Sequence, residues 1–386
     1  RIVRSKIDGR LIVTSEIARG AVKGKGTTML AMTALLLLSG AQAADPSLIV
    51  PATTGTAIPT VVTPNPAPNG SWVDIKAPVN GISHNQYTKF NVGSTAAIIN
   101  NATSNFATTI DRTSETTRNA ATRVVQSWST PTNELAIPAN VNFGSATTGA
   151  SVIINEVLQV GGSASSLAGV VEIAGHKANL IIANPYGITV NGARFINASD
   201  VVLATGSVTN STDRNNITFQ LTDNALGVSN HLISNAPATS LSAQGLALIS
   251  RRISIAGKIE ADKLRVVAHN GEAVLDATNT IGTITTNATG PVAGAAPTLA
   301  IDSSAVGGMY ANTISLIATE AGAGVKFVGS MAGLGDTITI KANGDLVIGD
   351  TSTAATLNAN SITLESTNAS KDVMLTNASL TAAKTN

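Results

Sequence analysis

Asn312-Thr313-Ile314-Ser315-Leu316, Asp336-Thr337-Ile338-Thr339-Ile340 and Asn360-Ser361-Ile362-Thr363-Leu364 repeat one pattern at a spacing of 24 residues. Each begins with a polar turn residue and continues with aliphatic side chains alternating with Ser or Thr. Each is followed by a second short apolar run: Val325-Lys326-Phe327-Val328, Leu346-Val347-Ile348 and Val373-Met374-Leu375. Period-two alternation specifies strands. A fixed period in the twenties with strand texture specifies a solenoid, because one such unit cannot bury its own apolar face. The leucine–asparagine signature of leucine-rich repeats is missing, which leaves an all-β parallel β-helix. The pattern predicts Ile314, Ile338 and Ile362 stacked in the interior, and likewise Leu316, Ile340 and Leu364. Of the 386 residues, 43% are hydrophobic but only 3% aromatic, the balance expected of a core built from stacked aliphatic side chains. Ample aliphatic content with 12% charged residues excludes an intrinsically disordered chain. A formal net charge of +1 argues against a nucleic-acid partner.

Towards the amino end the charge is uneven. Residues 1–43 carry seven basic and two acidic side chains, whereas the remainder carries 17 basic and 21 acidic ones. A charge-free apolar run at 28–39 includes Leu35-Leu36-Leu37-Leu38. It is shorter than the roughly 20 residues a spanning helix needs. Ala41-Gln42-Ala43 supplies the small residues of a signal-peptidase site, so cleavage is expected after Ala43, before Ala44. Residues 44–71, with Pro46, Pro51, Pro59, Pro64, Pro66 and Pro68, read as an extended linker. Residues 114–127 are the best helical candidate after the leader.

In the centre, Asn184-Pro185-Tyr186-Gly187 lies between two predicted strands, 178–183 and 188–190. Asn at the first position, Pro at the second and Gly at the fourth suit a β-turn. Asn191-Gly192 follows, a dipeptide that signals a two-residue hairpin.

These turns sit in a longer ordered series. Gly81-Ile82-Ser83-His84-Asn85-Gln86-Tyr87 comes first, then Ile153-Ile154-Asn155-Glu156-Val157. Leu167-Ala168-Gly169-Val170-Val171-Glu172 and Gly192-Ala193-Arg194-Phe195-Ile196-Asn197 continue the order. Together they resemble the secretion domain of filamentous-haemagglutinin-like, two-partner secretion exoproteins, over about residues 72–271. The opening stretch 1–20 resembles the extended signal peptide of such proteins. A second Asn-Pro motif of that family corresponds to Asn140-Val141-Asn142-Phe143, where valine stands in place of proline. Residues 101–138 fit the family poorly and read as an insertion.

The resemblance implies a right-handed winding of the β-helix and four regions. They are an extended signal peptide at 1–43, a linker at 44–71, a secretion domain at 72–300 with an amino-terminal cap and short hairpin extensions, and 24-residue repeats at 301–386 that are expected to run on. It implies an exported substrate rather than an enzyme, secreted through the periplasm to the surface of a Gram-negative cell. An outer-membrane β-barrel transporter with periplasmic recognition domains would read the secretion domain. The export motif would be Asn184, Pro185, Tyr186 and Gly187, with Asn140 and Asn142 as a second site. The exported chain would act as an adhesin towards a host or neighbouring-cell receptor. Growth-inhibition toxins and haemolysins share this front end.

Competing chemistry finds little support in the sequence. His84, His176, His231 and His269 show no metal-ligand spacing, so no metal is expected. Gly24-Lys25-Gly26-Thr27-Thr28 lacks the spacing of a phosphate loop, and no small-molecule cofactor is implied. With no cysteine, a thiol nucleophile is excluded. A polysaccharide-degrading β-helix enzyme is the remaining catalytic reading, but the repeats lack paired carboxylates and sugar-stacking aromatics. Of Arg251-Arg252, one is expected to be exposed and the other structurally paired.

Overall fold

Three parallel sheets wind around one aliphatic core in the computed structural model. The structure describes residues 2–4, 11–13, 49–54, 61–64, 71–93, 97–107, 136–233, 245–278, 281, 283–303, 307–333 and 336–383. The expected cleavage residues Ala41, Ala43 and Ala44, the apolar run at 28–39 and the helical candidate at 114–127 lie outside the described residues. Residues 1–42 form a separate unit, in which Ile2–Arg4 pairs antiparallel with Leu11–Val13.

The coil is the repeating element of the second unit. Thr313–Ala318 belongs to the first sheet, Gly324–Phe327 to the second and Gly329–Gly333 to the third, after which Thr337–Ala342 returns to the first. The predicted stacks form in register: Ile314 pairs with Ile338, and Ile338 with Ile362. The same column extends back through Leu264, Leu246, Val201 and Leu180 to Ile153. Its neighbour runs Leu364, Ile340, Leu316, Val266, Leu248, Leu203, Ile182. Strands spaced about 4.8 Å apart place like side chains in van der Waals contact, so columns of aliphatics fill most of the interior, with Tyr87, Phe90, Phe143, Phe195 and Phe327 the aromatics buried among them.

Two features differ from the sequence reading, one in the partners of strands and one in their number. Asn191-Gly192 does not close a hairpin. Ile188–Val190 pairs with Ser165–Leu167 in the second sheet, and Ala193–Ile196 pairs with Val170–Gly175 in the third. Gly192, at φ +95°, supplies the bend an Asn-Gly dipeptide encodes, but the bend turns a corner of the coil. The repeat also holds a third strand. Gly329–Gly333, Ala355–Ala359 and Ala378–Ala382 are built from small residues that carry little strand signal.

The amino end is closed by antiparallel strands. Ile49–Pro51 pairs with Ile82–Phe90 at the edge of the first sheet, and Val61–Pro64 with Ser71–Asp74 at the edge of the third. Both lie in the Pro-rich segment read as a linker. Proline is tolerated at an edge, where its missing N–H breaks no ladder, and it blocks further pairing.

A four-stranded antiparallel sheet covers the outside of the first sheet. Its strands are Gly206–Asn210, Ile217–Leu221, Glu272–Asp276 and Thr283–Asn287. Ile217, Phe219, Leu221, Ala273 and Leu275 pack on Ile154, Ile181, Val202 and Ala247 as a second buried cluster. Strands such as Ala178–Ala183 and Gly245–Ser250 are therefore buried on both faces, and their sequences Ala-Asn-Leu-Ile-Ile-Ala and Gly-Leu-Ala-Leu-Ile-Ser lose polar alternation accordingly.

Candidate functional site

The turn at Asn184 is built from the strand that precedes it. Ala178–Ala183 ends where the coil must leave the first sheet, and Asn184 N–H still donates to the Ala204 carbonyl of the next coil at 2.9 Å. The Asn184 carbonyl then accepts the Gly187 N–H at 3.2 Å, closing a β-turn. The side chain is fully buried. Its Oδ1 accepts the Tyr186 N–H at 2.8 Å, while Nδ2 donates to the Ser163 carbonyl and to Ser165 Oγ, each at 2.8 Å. Gly187 has φ +105°, and a Cβ there would stand 3.0 Å from the Ala225 carbonyl oxygen. The Pro185 carbonyl, also buried, accepts from Thr222 Oγ1 at 2.8 Å and Asn224 Nδ2 at 2.7 Å. Tyr186 is half-buried against the core and its hydroxyl donates to the Gln159 carbonyl.

Thr222 and Asn224 carry no motif. They occupy the same corner one coil on, just before Ala225–Val228, whose Leu226 pairs with Ile188. Only the register reveals them.

Asn140-Val141-Asn142-Phe143 repeats this geometry at another corner. Asn140 Oδ1 accepts the Asn142 N–H at 2.8 Å, and its carbonyl accepts the Phe143 N–H at 3.1 Å. Its Nδ2 donates to the carbonyls of Ile75 at 2.9 Å and Asn100 at 2.6 Å. Asn142 Nδ2 reaches the carbonyls of Asp74 and Ile75 at 2.9 and 3.2 Å. Valine in place of proline leaves the hydrogen-bond pattern intact, because the asparagine side chain, not the ring, closes the turn. Asn140, 3% exposed, caps the short 3₁₀ turn Val141–Phe143 from an extended conformation (ψ 119°). Val141 is 68% exposed and occupies the first helical position, where proline's fixed φ fits. Val141→Pro is therefore expected to raise stability by about 0.4–1 kcal/mol, read as a higher denaturation midpoint.

At both turns the asparagine Nδ2 groups donate to backbone carbonyls, and that of Asn184 also to the Ser165 hydroxyl, which locks the backbone corners. Among the described residues, no three His, Asp or Glu side chains are grouped to hold a metal ion.

A further polar cluster holds the carboxyl half together. Arg251 is 1% exposed, and its guanidinium meets Glu320 twice, at 2.7 and 3.0 Å, Asp223 at 2.9 Å and the Ala295 carbonyl at 3.1 Å. Arg252 is half-exposed and shares Asp223, so the arginine pair divides as its sequence suggested. Burial opposes ionisation of Glu320, but the Arg251 guanidinium and the Asn270 amide hold its carboxyl below the usual glutamate range.

A parallel β-helix with a capped amino end, an external antiparallel sheet and asparagine-locked corners defines a solenoid scaffold domain. The TPS secretion domain model matches residues 52–348, so the chain belongs to the two-partner secretion family. It is the secretion domain of an exoprotein delivered through the periplasm to the surface of a Gram-negative cell. It is 34% identical over 287 residues to a 16S rRNA endonuclease CdiA of Enterobacter cloacae, and 34% over 289 residues to a tRNA nuclease CdiA of Yersinia mollaretii. It is 30% identical over 280 residues to the filamentous hemagglutinin of Bordetella pertussis. These alignments cover 74%, 73% and 70% of this chain but only 8%, 8% and 7% of those relatives. The crystal structure of a filamentous hemagglutinin secretion domain superimposes with a TM-score of 0.64 at 26% identity, covering 86% of this chain and 99% of that one.

Proposed function

We propose that this chain is the export signal of its exoprotein, read in the periplasm by the recognition domains of a dedicated outer-membrane β-barrel transporter. The family match over residues 52–348 carries the reading. The domain limits that go with it are a leader to residue 43, a Pro-rich segment at 44–71 whose two strands cap the sheets, a secretion domain at 72–300 and repeats at 301–386. Asn184, Pro185, Tyr186 and Gly187 act in export by fixing the corner of the folded signal, and Asn140 and Asn142 fix a second corner. Export asks no catalysis of the chain, no cofactor and no nucleic-acid partner. The exported solenoid presents an adhesin or haemagglutinin to a host or neighbouring-cell receptor. A contact-dependent growth inhibitor is the second reading, favoured by the 34% identity to nucleases named CdiA.

The test is co-expression of the exoprotein with and without its candidate barrel, followed by immunoblot of medium and cell surface. Surface or released protein only when the barrel is present is the expected result. Equal export without the barrel overturns the proposal.

A further inference from the structure

Three residues far apart in sequence meet where the external sheet touches the first coil. His84, on Ile82–Phe90, lies between Glu156 of Val152–Val157 and Ser211, which follows Gly206–Asn210. His84 Nε2 is 2.9 Å from Glu156 Oε2, and His84 Nδ1 is 2.9 Å from Ser211 Oγ. The Glu156 side chain is 5% exposed and that of His84 17%. Glu156 also accepts the Val208 N–H at 2.8 Å and the Gln86 amide at 3.2 Å. A carboxylate accepts only, so this network places the imidazole proton on Nε2 and leaves the Nδ1 lone pair to receive the Ser211 hydroxyl proton. A cavity of about 260 Å³ opens beside the pair, lined by Lys76, Val79, Ile82, His84, Ser211 and Thr212 among others.

We propose that Ser211 is an activated nucleophile, with His84 as its base and Glu156 as the residue that orients the base, and that the cavity accepts short-chain acyl esters. The arrangement meets the geometric test for nucleophilic catalysis: nucleophile to base, base to orienting acid, and an adjoining space for the reacting carbonyl. The two ring nitrogens exchange the roles they hold in the serine protease triad, and either in-plane lone pair can take the proton. The cavity is small for a ligand site, and Val79, Ile82 and Ala77 give it an apolar wall that suits a short acyl chain. Lys76 is a cation on that wall, the charge that suits a developing oxyanion.

In the reaction, Ser211 Oγ adds to the ester carbonyl carbon as its proton passes to His84 Nδ1. The bond to the alcohol breaks and the imidazolium returns the proton to the departing oxygen. Water, deprotonated by the same nitrogen, then hydrolyses the acyl-serine, releasing the acid and restoring the hydroxyl. This activity does not rest on the export reading.

The absence of cysteine makes a direct test available. Ser211→Cys carries the only thiol, and Ser370→Cys, at an exposed turn, is the reference. At pH 7, iodoacetamide is expected to alkylate Cys at 211 about tenfold faster than at 370. Adding His84→Ala is expected to abolish that advantage. In the wild-type chain, a fluorophosphonate probe should label Ser211 in the folded but not the denatured protein, as read by peptide mass spectrometry. Circular dichroism melting curves confirm folding of each variant. Equal alkylation rates at 211 and 370 in folded variants would overturn the proposal and leave the three residues as a tether for the external sheet.

Discussion

Arg251→Met is expected to lower the unfolding free energy by about 3–5 kcal/mol, the usual loss when one partner of a buried ion pair is removed. Methionine fills much of the arginine stem's volume, so the loss reports the charge and its hydrogen bonds more than a cavity. Left behind are Glu320, whose side chain is 13% exposed, and the Ala295 carbonyl. Three coils meet at this guanidinium. Asp223 precedes the strand Ala225–Val228, Arg251 precedes Arg252–Ile255 and Glu320 follows Thr313–Ala318. Asn270 extends the cluster, donating to Glu320 at 3.1 Å and exchanging hydrogen bonds with Val292 through its amide and carbonyl groups.

The deficit carries a pH signature. In the wild type, Glu320 is held below its ordinary range, so its stabilising contribution is present at neutral pH and is lost as pH falls through the folded value. In the variant the buried carboxylate has lost its cation, and acidification relieves that penalty instead. The gap between the two proteins should therefore narrow as pH drops through the glutamate range. Asp200 works in the opposite sense. Burial beneath the external sheet pushes it up to about 6, against backbone hydrogen bonds from Ile281 and Gly245, so its contribution falls as pH rises through that value. It is common to both proteins and cancels in the difference. Denaturant melts at pH 7 and pH 4 read both effects. A deficit below about 1 kcal/mol at pH 7 would put the pair in the class of exposed salt bridges.

The solenoid was legible because its core repeats its own chemistry. Ile314, Ile338 and Ile362 fall 24 residues apart in sequence and one above another in the first sheet. The Ala- and Gly-rich third strands escaped because their order comes from pairing with neighbouring coils rather than from propensity. Asn191-Gly192 shows the same limit: the dipeptide fixes a bend, while the partner of each flanking strand is set by the coil above and below. The external sheet was hidden for another reason. Its two hairpins, 206–221 and 272–287, are separated by two coils of the helix, and nothing local marks their pairing. Asn184 was readable as a turn residue because the asparagine side chain acts on the N–H two residues ahead, whereas Asn140 was marked only by the family resemblance. Thr222, Asn224, Glu156 and Ser211 reach their partners across 37, 39, 72 and 127 residues. Those contacts exist only once the coils are in register.

Asn184→Ala is expected to cost about 2 kcal/mol or more and to reduce export with it. The substitution removes three hydrogen bonds and leaves the buried Ser165 hydroxyl and the N–H of half-buried Tyr186 without their partner, while Ser163 is exposed and its carbonyl can turn to water. Each unsatisfied buried group costs about 1–3 kcal/mol. Asn184→Asp separates the two halves of the amide. It keeps the acceptor for Tyr186 N–H but sets a second oxygen against the Ser163 carbonyl in a buried place, so it should be no better than alanine. Because the Asn184 side chain is fully buried, the proposed role predicts that export and stability fall together. Both should recover in part at a lower growth temperature, where more of the variant is folded. Denaturant melts of the purified chain, titration against the transporter's periplasmic domains and the export immunoblot separate the alternatives. Weakened binding at saturating folded protein, with an unchanged melting curve, would mean that the transporter reads this turn directly. Weakened export in proportion to the unfolded fraction, with normal binding by the folded fraction, would make the asparagine a lock on the signal's shape.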